Sequence, residues 1–490
     1  MPHTKEGFLW TPNHTHSGLQ TDSIQPSSPT IKPHYDIIVI GAGFAGLIAA
    51  RDLIQRHNLN VLLIEARDRI GGRTWTAKVL GKELEMGGTW VHWAQPHVYN
   101  ELQRYGLHRY LKTSAGTLAP ERQFFKSSGG EIEEVSIADN IEALERVAEV
   151  FFNIDGLNSR ALMPYPHDPL REPAMWKRYD HLTVQDRLDQ LPDKISQRHR
   201  ELFQSNISTF GSALGKDMGF VEALRWYALG GHSMARVFEM AGIYKIGHGG
   251  MTAFSRAILG DYNGDRLFNT TVRQINHIGS NKVVINTSNG EVKAKAVVST
   301  IPLNCLDNIT FNPPVSPLRQ AALAKKHINT GAKIHFKLSA TQQPWFATAD
   351  GTNSNSSFVF AFFDHNGTKP SPSGTWCIGF GYNDRLPDKN DHHHIINRFR
   401  QDINRDADVE AYVTHDWKND PYSKGAWACW GSNSASIYLE ELQRPHGRVV
   451  FASADWADGW RGFVDGAIER GQSAVREAVN LLDGDGVAKL

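Results

Sequence analysis

Apolar and polar positions along the chain change period several times, and each change marks an element. The run Tyr35 to Ile40 is short, β-branched and closed by Gly41, the pattern of a parallel strand buried on both faces. Leu47, Ile48, Ala50, Leu53 and Ile54 then recur at helical spacing, and Val61 to Ile64 predicts a second strand ending at Glu65. From about Val98 to Arg236 the pattern is mostly helical and broken by prolines, with Asp139 to Phe152 and Val184 to Leu191 the clearest amphipathic pieces. This predicts a cap over the first unit. Residues 243–302 return to strands: Leu267 to Asn269, Val272 to His277, Lys282 to Thr287 and, after a turn at Gly290, Ala296 to Thr300, which re-enters the first unit. Alternation at Lys333 to Leu338, Ser357 to Phe363 and Thr375 to Tyr382 predicts an antiparallel sheet in a second half, with polar surface loops at Ala349 to Ser357 and Asp384 to His394. A last apolar strand begins at Val449 and ends on Asp455, followed by a Gly-rich turn and a helix from Ala467 to about Leu482. Met1 to His34, rich in Pro, Ser, Thr and His, reads as a poorly ordered arm.

The first unit carries the most specific chemistry. Gly41, Gly43 and Gly46, with Ala45 between, fall on GxGxxG spacing: a tight turn, a close backbone approach to a pyrophosphate, and a close helix-to-strand contact. The helix dipole favours the anion there. Glu65, nineteen residues beyond Gly46, is placed to accept both ribose hydroxyls and to repel a 2′-phosphate. The continuation Ala66-Arg67-Asp68-Arg69-Ile70-Gly71-Gly72-Arg73 adds a second glycine pair and a guanidinium fork for the same pyrophosphate. In this position it resembles the FAD signature of the glutathione-reductase-like flavoproteins, which favours FAD over NAD.

Bulk properties narrow the classes further. At 490 residues the chain is too long for one core and implies two domains with interleaved segments. Lys plus Arg and Asp plus Glu balance at 52 each, so no global field recruits nucleic acid or anionic lipid. Cys305, Cys377 and Cys429 are few and lack CxxC spacing, which argues against a disulfide framework and against zinc. Adjacent side chains in His392 to His394 do not converge on one ion, so a solvated loop or helix start is expected and no metal. No apolar stretch reaches membrane-spanning length and the N-terminus lacks a signal-peptide pattern, so a soluble protein is expected. The last residues, Ala488-Lys489-Leu490, resemble the Ser-Lys-Leu address read by the peroxisomal import receptor; the alternative location is cytoplasmic.

Taken in order across almost the whole chain, GAGFAGL with LIEARDRIGGR, EMGGTWVHW, VSTIPLNCL, the Lys333 strand, PYSKGAW and FASADWADGWRGFVDGAIERG resemble the flavin amine oxidase family, most closely the soluble fungal monoamine oxidases. The resemblance implies an α/β fold in which a glutathione-reductase-like FAD-binding Rossmann domain (residues 35–89, 243–311 and 419–482) is interleaved with an α+β substrate-binding domain (90–242 and 312–418), flanked by a flexible arm (1–34) and a tail (483–490). It places Asp455 near the ribityl and pyrophosphate groups, held by hydrogen bonds rather than by ion pairing. Gly87, Gly88, Thr89 and Trp90 pass along the flavin ring; the backbone of Val272 meets adenine, the N–H of Val464 reaches the flavin carbonyl, and Trp417 walls the ring. For chemistry it singles out Lys333, which in the family holds a water against flavin N5, and Trp427 with Phe463, an aromatic pair that cages the amine.

Two departures from the membrane-anchored animal enzymes stand out. Ala426 replaces the cysteine that attaches their flavin, so non-covalent FAD is expected, and no C-terminal membrane helix follows the last amphipathic one. The implied activity is FAD-dependent oxidation of a primary or secondary amine to an imine, hydrolysed afterwards, with O2 reduced to hydrogen peroxide. Polyamine oxidation, which needs an acidic lining, and L-amino-acid oxidation, which needs an arginine facing the carboxylate, stay open, as does a non-catalytic FAD-fold scaffold. The sequence leaves the oligomeric state open and admits a homodimer.

Overall fold

The computed structural model describes residues 2–279, 281–351, 356–364 and 374–487, with side chains to residue 483; parts of the expected loop Ala349 to Ser357 and the tripeptide Ala488-Lys489-Leu490 lie outside the described residues. Two large sheets organise it. The first runs Asp265–Leu267, Val61–Ile64, Tyr35–Ile40, Gly290–Ser299, Lys282–Thr287, Val272–Ile278, Thr310–Asn312, with Val449–Phe451 also paired to Gly290–Ser299. Around Tyr35–Ile40 the pairing is parallel, and its residues Ile37 to Val39 are fully buried, as an apolar run covered on both faces requires.

Gly290–Ser299 explains how one chain joins two kinds of pairing. Its first half pairs antiparallel with Lys282–Thr287, and its second half pairs parallel with Tyr35–Ile40 and Val449–Phe451. The helices Phe44–His57 and Val464–Val487 cover this sheet and touch closely: a Cβ added at Gly471 would lie 2.6 Å from the Ala45 carbonyl. The second helix starts three residues before the expected Ala467, because its first turn is already anchored where Asp465 accepts the Val98 N–H at 2.8 Å.

The second sheet has nine strands in the order His14–Ser17, Phe8–Thr11, Val409–Thr414, Lys333–Leu338, Thr375–Gly381, Phe358–Phe363, Trp345–Ala349, Arg122–Lys126, Ile132–Val135. All neighbours are antiparallel except Trp345–Ala349 and Arg122–Lys126. The region 98–236 is helical as its period suggests, and Ser136 and Thr183 cap the helices Ile137–Phe151 and Val184–Asp189, the latter with a capping box closed by Asp186. It also contributes two strands to this sheet, which the helical reading passes over. The three histidines open the helix His392–Asp402, capped by Asp391. No helix among the described residues is long and apolar enough to cross a membrane.

The N-terminal arm differs from expectation. Phe8–Thr11 pairs with Val409–Thr414, Phe8 and Trp10 enter the core, and Thr4, Thr21 and Ser23 are buried. Composition misleads here because short polar side chains are buried at little cost once bonded: Thr21 Oγ1 donates to the Thr76 carbonyl at 2.8 Å, and Thr4 Oγ1 to Asp68 at 2.9 Å. Trp10 stacks on Tyr412 and His392, with centroids 5.3 and 5.1 Å away. Trp10→Ala should weaken docking of the hairpin by about 3 kcal/mol. Hydrogen exchange across residues 8–17 checks this, and an unchanged rate in the variant would show that the hairpin is held by something else.

Candidate active site

One cavity of about 330 Å³ runs between the two sheets. Its nucleotide end lies at the carboxyl edge of the parallel strands, where ligands of open α/β sheets bind. Gly41, Gly43 and Ala45, then Glu65, Ala66 and Arg67, line that end, with Gly72, Arg73 and Val272. Gly87, Gly88, Thr89 and Trp90 line the middle with Trp417, Lys333 and Val464, and Trp427 and Phe463 line the far end. Of the residues expected at the site, only Gly46 and Asp455 stand behind the wall.

The three glycines have separable reasons. Gly41 adopts φ +103°, a conformation that side chains resist. At Gly46 an added Cβ would strike the Gly41 carbonyl, so the third glycine serves the helix-to-strand contact. At Gly43 the nearest atom to such a Cβ is the Gly72 Cα at 3.8 Å, so its backbone lies open to the cavity, as a pyrophosphate site needs. Glu65 sits in the same wall, buried, accepting from the Ala42 N–H at 2.7 Å and the Arg67 N–H at 2.9 Å. Burial raises its pKa above the usual carboxylate range, and hydroxyl donors from a ribose would favour the ionised form. Glycine cradle and carboxylate together fit an adenine dinucleotide with free ribose hydroxyls.

Arg73 and Asp455 correct one expectation. Asp455 is ion-paired, its Oδ1 accepting from Arg73 at 2.6 Å while its Oδ2 accepts the Leu303 N–H at 2.8 Å. Arg73 donates also to the Ala426 carbonyl at 2.9 Å. A fully buried carboxylate needs a compensating charge, and the partly exposed Arg73 supplies it from the cavity wall. Asp455 therefore acts on the cavity through Arg73. Nor is it a helix cap, since Ser453 caps the short turn Ala454–Trp456. The Arg67 guanidinium is likewise taken up by protein, paired with Asp420 and Glu6.

Lys333 begins its strand opposite Phe380 and turns into the cavity while Ile334 and Phe336 enter the core. Its Nζ donates to the carbonyls of Glu85 and Gly87, both at 2.8 Å, and to Thr89 Oγ1 at 2.6 Å. Burial lowers its pKa from the ordinary lysine value, and the Glu85 carboxylate opposes that. Three acceptors satisfy all three ammonium hydrogens, so holding a water would require exchanging one of these contacts. Trp417 donates Nε1–H to the Met86 carbonyl at 2.9 Å, and a Cβ at Gly87 would meet its ring at 2.9 Å and strike the Arg73 carbonyl.

The far end is aromatic. Trp427 donates to the Phe210 carbonyl at 2.7 Å and meets Phe380 edge-on, while Phe463 packs against Trp226 and Trp460 with centroids 4.8 and 4.9 Å away. Phe360 and Phe380 stack at 4.4 Å and 5°. These phenylalanines were not singled out by sequence. Their signal is the alternation Phe358, Phe360, Phe362, and a register shift between Phe358 and Phe360 divides it: Phe358 packs with Phe336 and Phe399 in the outer core, whereas Phe360 and Phe362 line the cavity. Among the described residues, the charged side chains in the whole wall are Glu65, Arg67, Arg73 and Lys333.

The model of the flavin containing amine oxidoreductases matches residues 44–479. Pseudooxynicotine dehydrogenase of a Pseudomonas species is 30% identical over 470 residues, 96% of this chain and 91% of that one. Putrescine oxidase of Kocuria rosea is 27% identical, covering 91% and 95%, and flavin-containing amine oxidase B of Bos taurus 25%, covering 91% and 86%. A solved putrescine oxidase superposes with TM-score 0.75 at 20% identity over 91% of this chain and 99% of that one, and the cyclohexylamine oxidase of Brevibacterium oxydans IH-35A with 0.73 at 19% over 92% and 100%, which places the two-sheet architecture among their folds. With the family shown, the scaffold reading gives way: the chain belongs to the flavin containing amine oxidoreductases and is an FAD-dependent oxidoreductase.

Proposed function

We propose that this enzyme oxidises monoamines whose remainder is bulky and apolar, with non-covalent FAD and with O2 as acceptor. The observation that carries the substrate reading is the charge pattern of the cavity wall. Lys333 is the one charged side chain near the aromatic end among the described residues; no carboxylate is there to receive a second ammonium and no arginine to receive a substrate carboxylate. This disfavours the polyamine and amino-acid readings.

FAD, when held by the Gly43, Glu65 and Gly72 end of the cavity, would supply the two-electron oxidation at the amine's α carbon. The protein's part is to exclude water and orient the amine. An ammonium entering this end would lose its hydration without a counter-charge, so the neutral base is the form that binds. In this reading Trp427 and Phe463 present π faces to the nitrogen, and Phe346, Phe360 and Phe362 hold the apolar remainder. Imine hydrolysis follows release. Lys333 places positive charge beside the ring-wall glycines, suited to stabilise negative charge arising as the acceptor is reduced. The relatives' names include both oxidases and dehydrogenases, and the peroxide yield in air distinguishes the two. A peroxide-forming reaction would suit the peroxisomal destination proposed from the C-terminal tripeptide, to be reached through the import receptor.

The placement of the thiols supports non-covalent attachment. Ala426 lines the cavity, whereas Cys429 is buried behind it with its Sγ toward Gly211. Cys305 reaches the nucleotide end, but burial pushes its pKa up to about 12, which keeps it protonated and unreactive.

Benzylamine and cyclic or branched alkylamines should reduce the flavin and yield one peroxide per amine consumed in air, while diamines and amino acids should not. For the good substrates kcat/KM should rise with pH through the amine's own pKa; reduction by putrescine or an amino acid as fast as by benzylamine would sink the substrate reading. Lys333→Met should slow reoxidation by O2 about 100-fold and leave anaerobic reduction far less affected, read by stopped-flow absorbance. Acid precipitation should leave the yellow chromophore in the supernatant, and colour retained in the pellet would contradict non-covalent binding.

A further inference from the structure

The N-terminal segment does more than extend a sheet. It leaves the substrate sheet on both sides of the hairpin 8–17 and reaches the nucleotide layer, where Thr4 meets Asp68 and three backbone bonds tie residues 23–28 down. The Ile70 N–H donates to the Ser23 carbonyl at 3.0 Å, the Gln25 N–H to the Asp68 carbonyl at 3.1 Å, and the Ser28 N–H to the Arg266 carbonyl at 2.8 Å. Residues 23 to 28 thus lie along the loop 67–70 and the strand Asp265–Leu267, both beside the nucleotide end of the cavity.

Glu6 is the charged centre of this contact. Its carboxylate pairs with Arg67 on one side and with Arg69 on the other, where Nε lies 2.7 Å and Nη2 2.5 Å away. Both arginines are buried, and each is also tied to the cavity. Arg67 donates twice to Asp420 at 2.8 Å and to Ser423 Oγ at 2.9 Å, and its guanidinium lies 5.3 Å from the Tyr422 ring; Ser423 and Tyr422 line the nucleotide end. Arg69 donates to the Gly72 carbonyl at 2.8 Å, and Gly72 is part of the pyrophosphate wall. His415 donates to the same Asp420 at 2.7 Å, which carries the network toward Trp417.

We propose that residues 2–28 are a cofactor-retaining strap, and that Glu6 is a positioning residue that locks the loops 67–72 and 420–423 around the adenosine half of FAD. Without the Glu6 carboxylate, Arg69 loses its acidic partner among the described residues and Arg67 keeps Asp420, so the loop 67–72 loses the ion pairs that join it to the N-terminal segment. FAD release then requires opening of the strap, and the coupling is reciprocal: bound FAD must hold the strap closed to the extent that the strap holds FAD. The proposal rests on FAD occupying this cavity, which the absorbance spectrum of the purified enzyme reports independently.

The test uses the full-length enzyme loaded with FAD. Glu6→Gln removes the charge at constant shape; FAD dissociation is followed by the rise of free-flavin fluorescence after large dilution into flavin-free buffer. Release at least tenfold faster than wild type supports the strap, and release within twofold overturns it. A merely structural role would shift the unfolding midpoint equally with and without FAD and leave the release rate alone. Hydrogen exchange across residues 2–28 of the wild-type chain, with and without FAD, needs no variant and decides the matter if Glu6→Gln fails to fold: slower exchange with FAD supports the strap, and identical exchange overturns it.

Discussion

Four parallel strands finish at one edge of one sheet, and the site depends on that coincidence. Ile40 runs into Gly41, Ile64 into Glu65, Ser299 into Thr300, and Phe451 toward Ser453 and Asp455. Residues separated by more than 400 positions in the chain thereby share a wall. Parallel register makes this unavoidable: once the apolar runs pair in phase, their carboxyl ends have nowhere else to go. The strand Gly290–Ser299 is the hinge of the arrangement, since its antiparallel half belongs to a hairpin and its parallel half closes the nucleotide wall.

Charge is distributed with equal economy. On the nucleotide side each buried ion has a partner: Arg73 with Asp455, Arg67 with Asp420 and Glu6, Arg51 with Glu101. A pyrophosphate carries its own negative charge into that region and finds helix N-termini and glycine backbones there. Beyond Lys333 the wall turns to aromatic carbon. The cavity is thus polar where the cofactor's phosphates belong and dry where C–H chemistry would occur.

Much of the nucleotide unit was legible in the sequence because its determinants are local: glycine spacing, a strand end and an acid all lie within residues 35–73. Lys333, Trp427 and Phe463 were visible only through the resemblance, since a lysine or an aromatic on a strand has no sequence mark of its orientation. The N-terminal strap was misread, because Phe8 and Trp10 are too few to signal a strand and gain their stability from Val409–Thr414, some 400 residues away. Glu6 shows the same limit: its partner Arg67 is 61 residues distant, and no local pattern predicts such a pair. The ion pair of Asp455 with Arg73 was missed for a like reason, as the two are 382 positions apart.

The irregular register between Phe358 and Phe360 has an evolutionary consequence. Side chains on a strand alternate strictly, so a local one-residue offset reassigns which rings serve the interior scaffold and which confront the guest molecule. Insertion or loss of a single codon in this segment would exchange the two sets wholesale. Lineages carrying this fold could thus remodel what they accept in one genetic event, leaving the dinucleotide machinery across the cleft untouched.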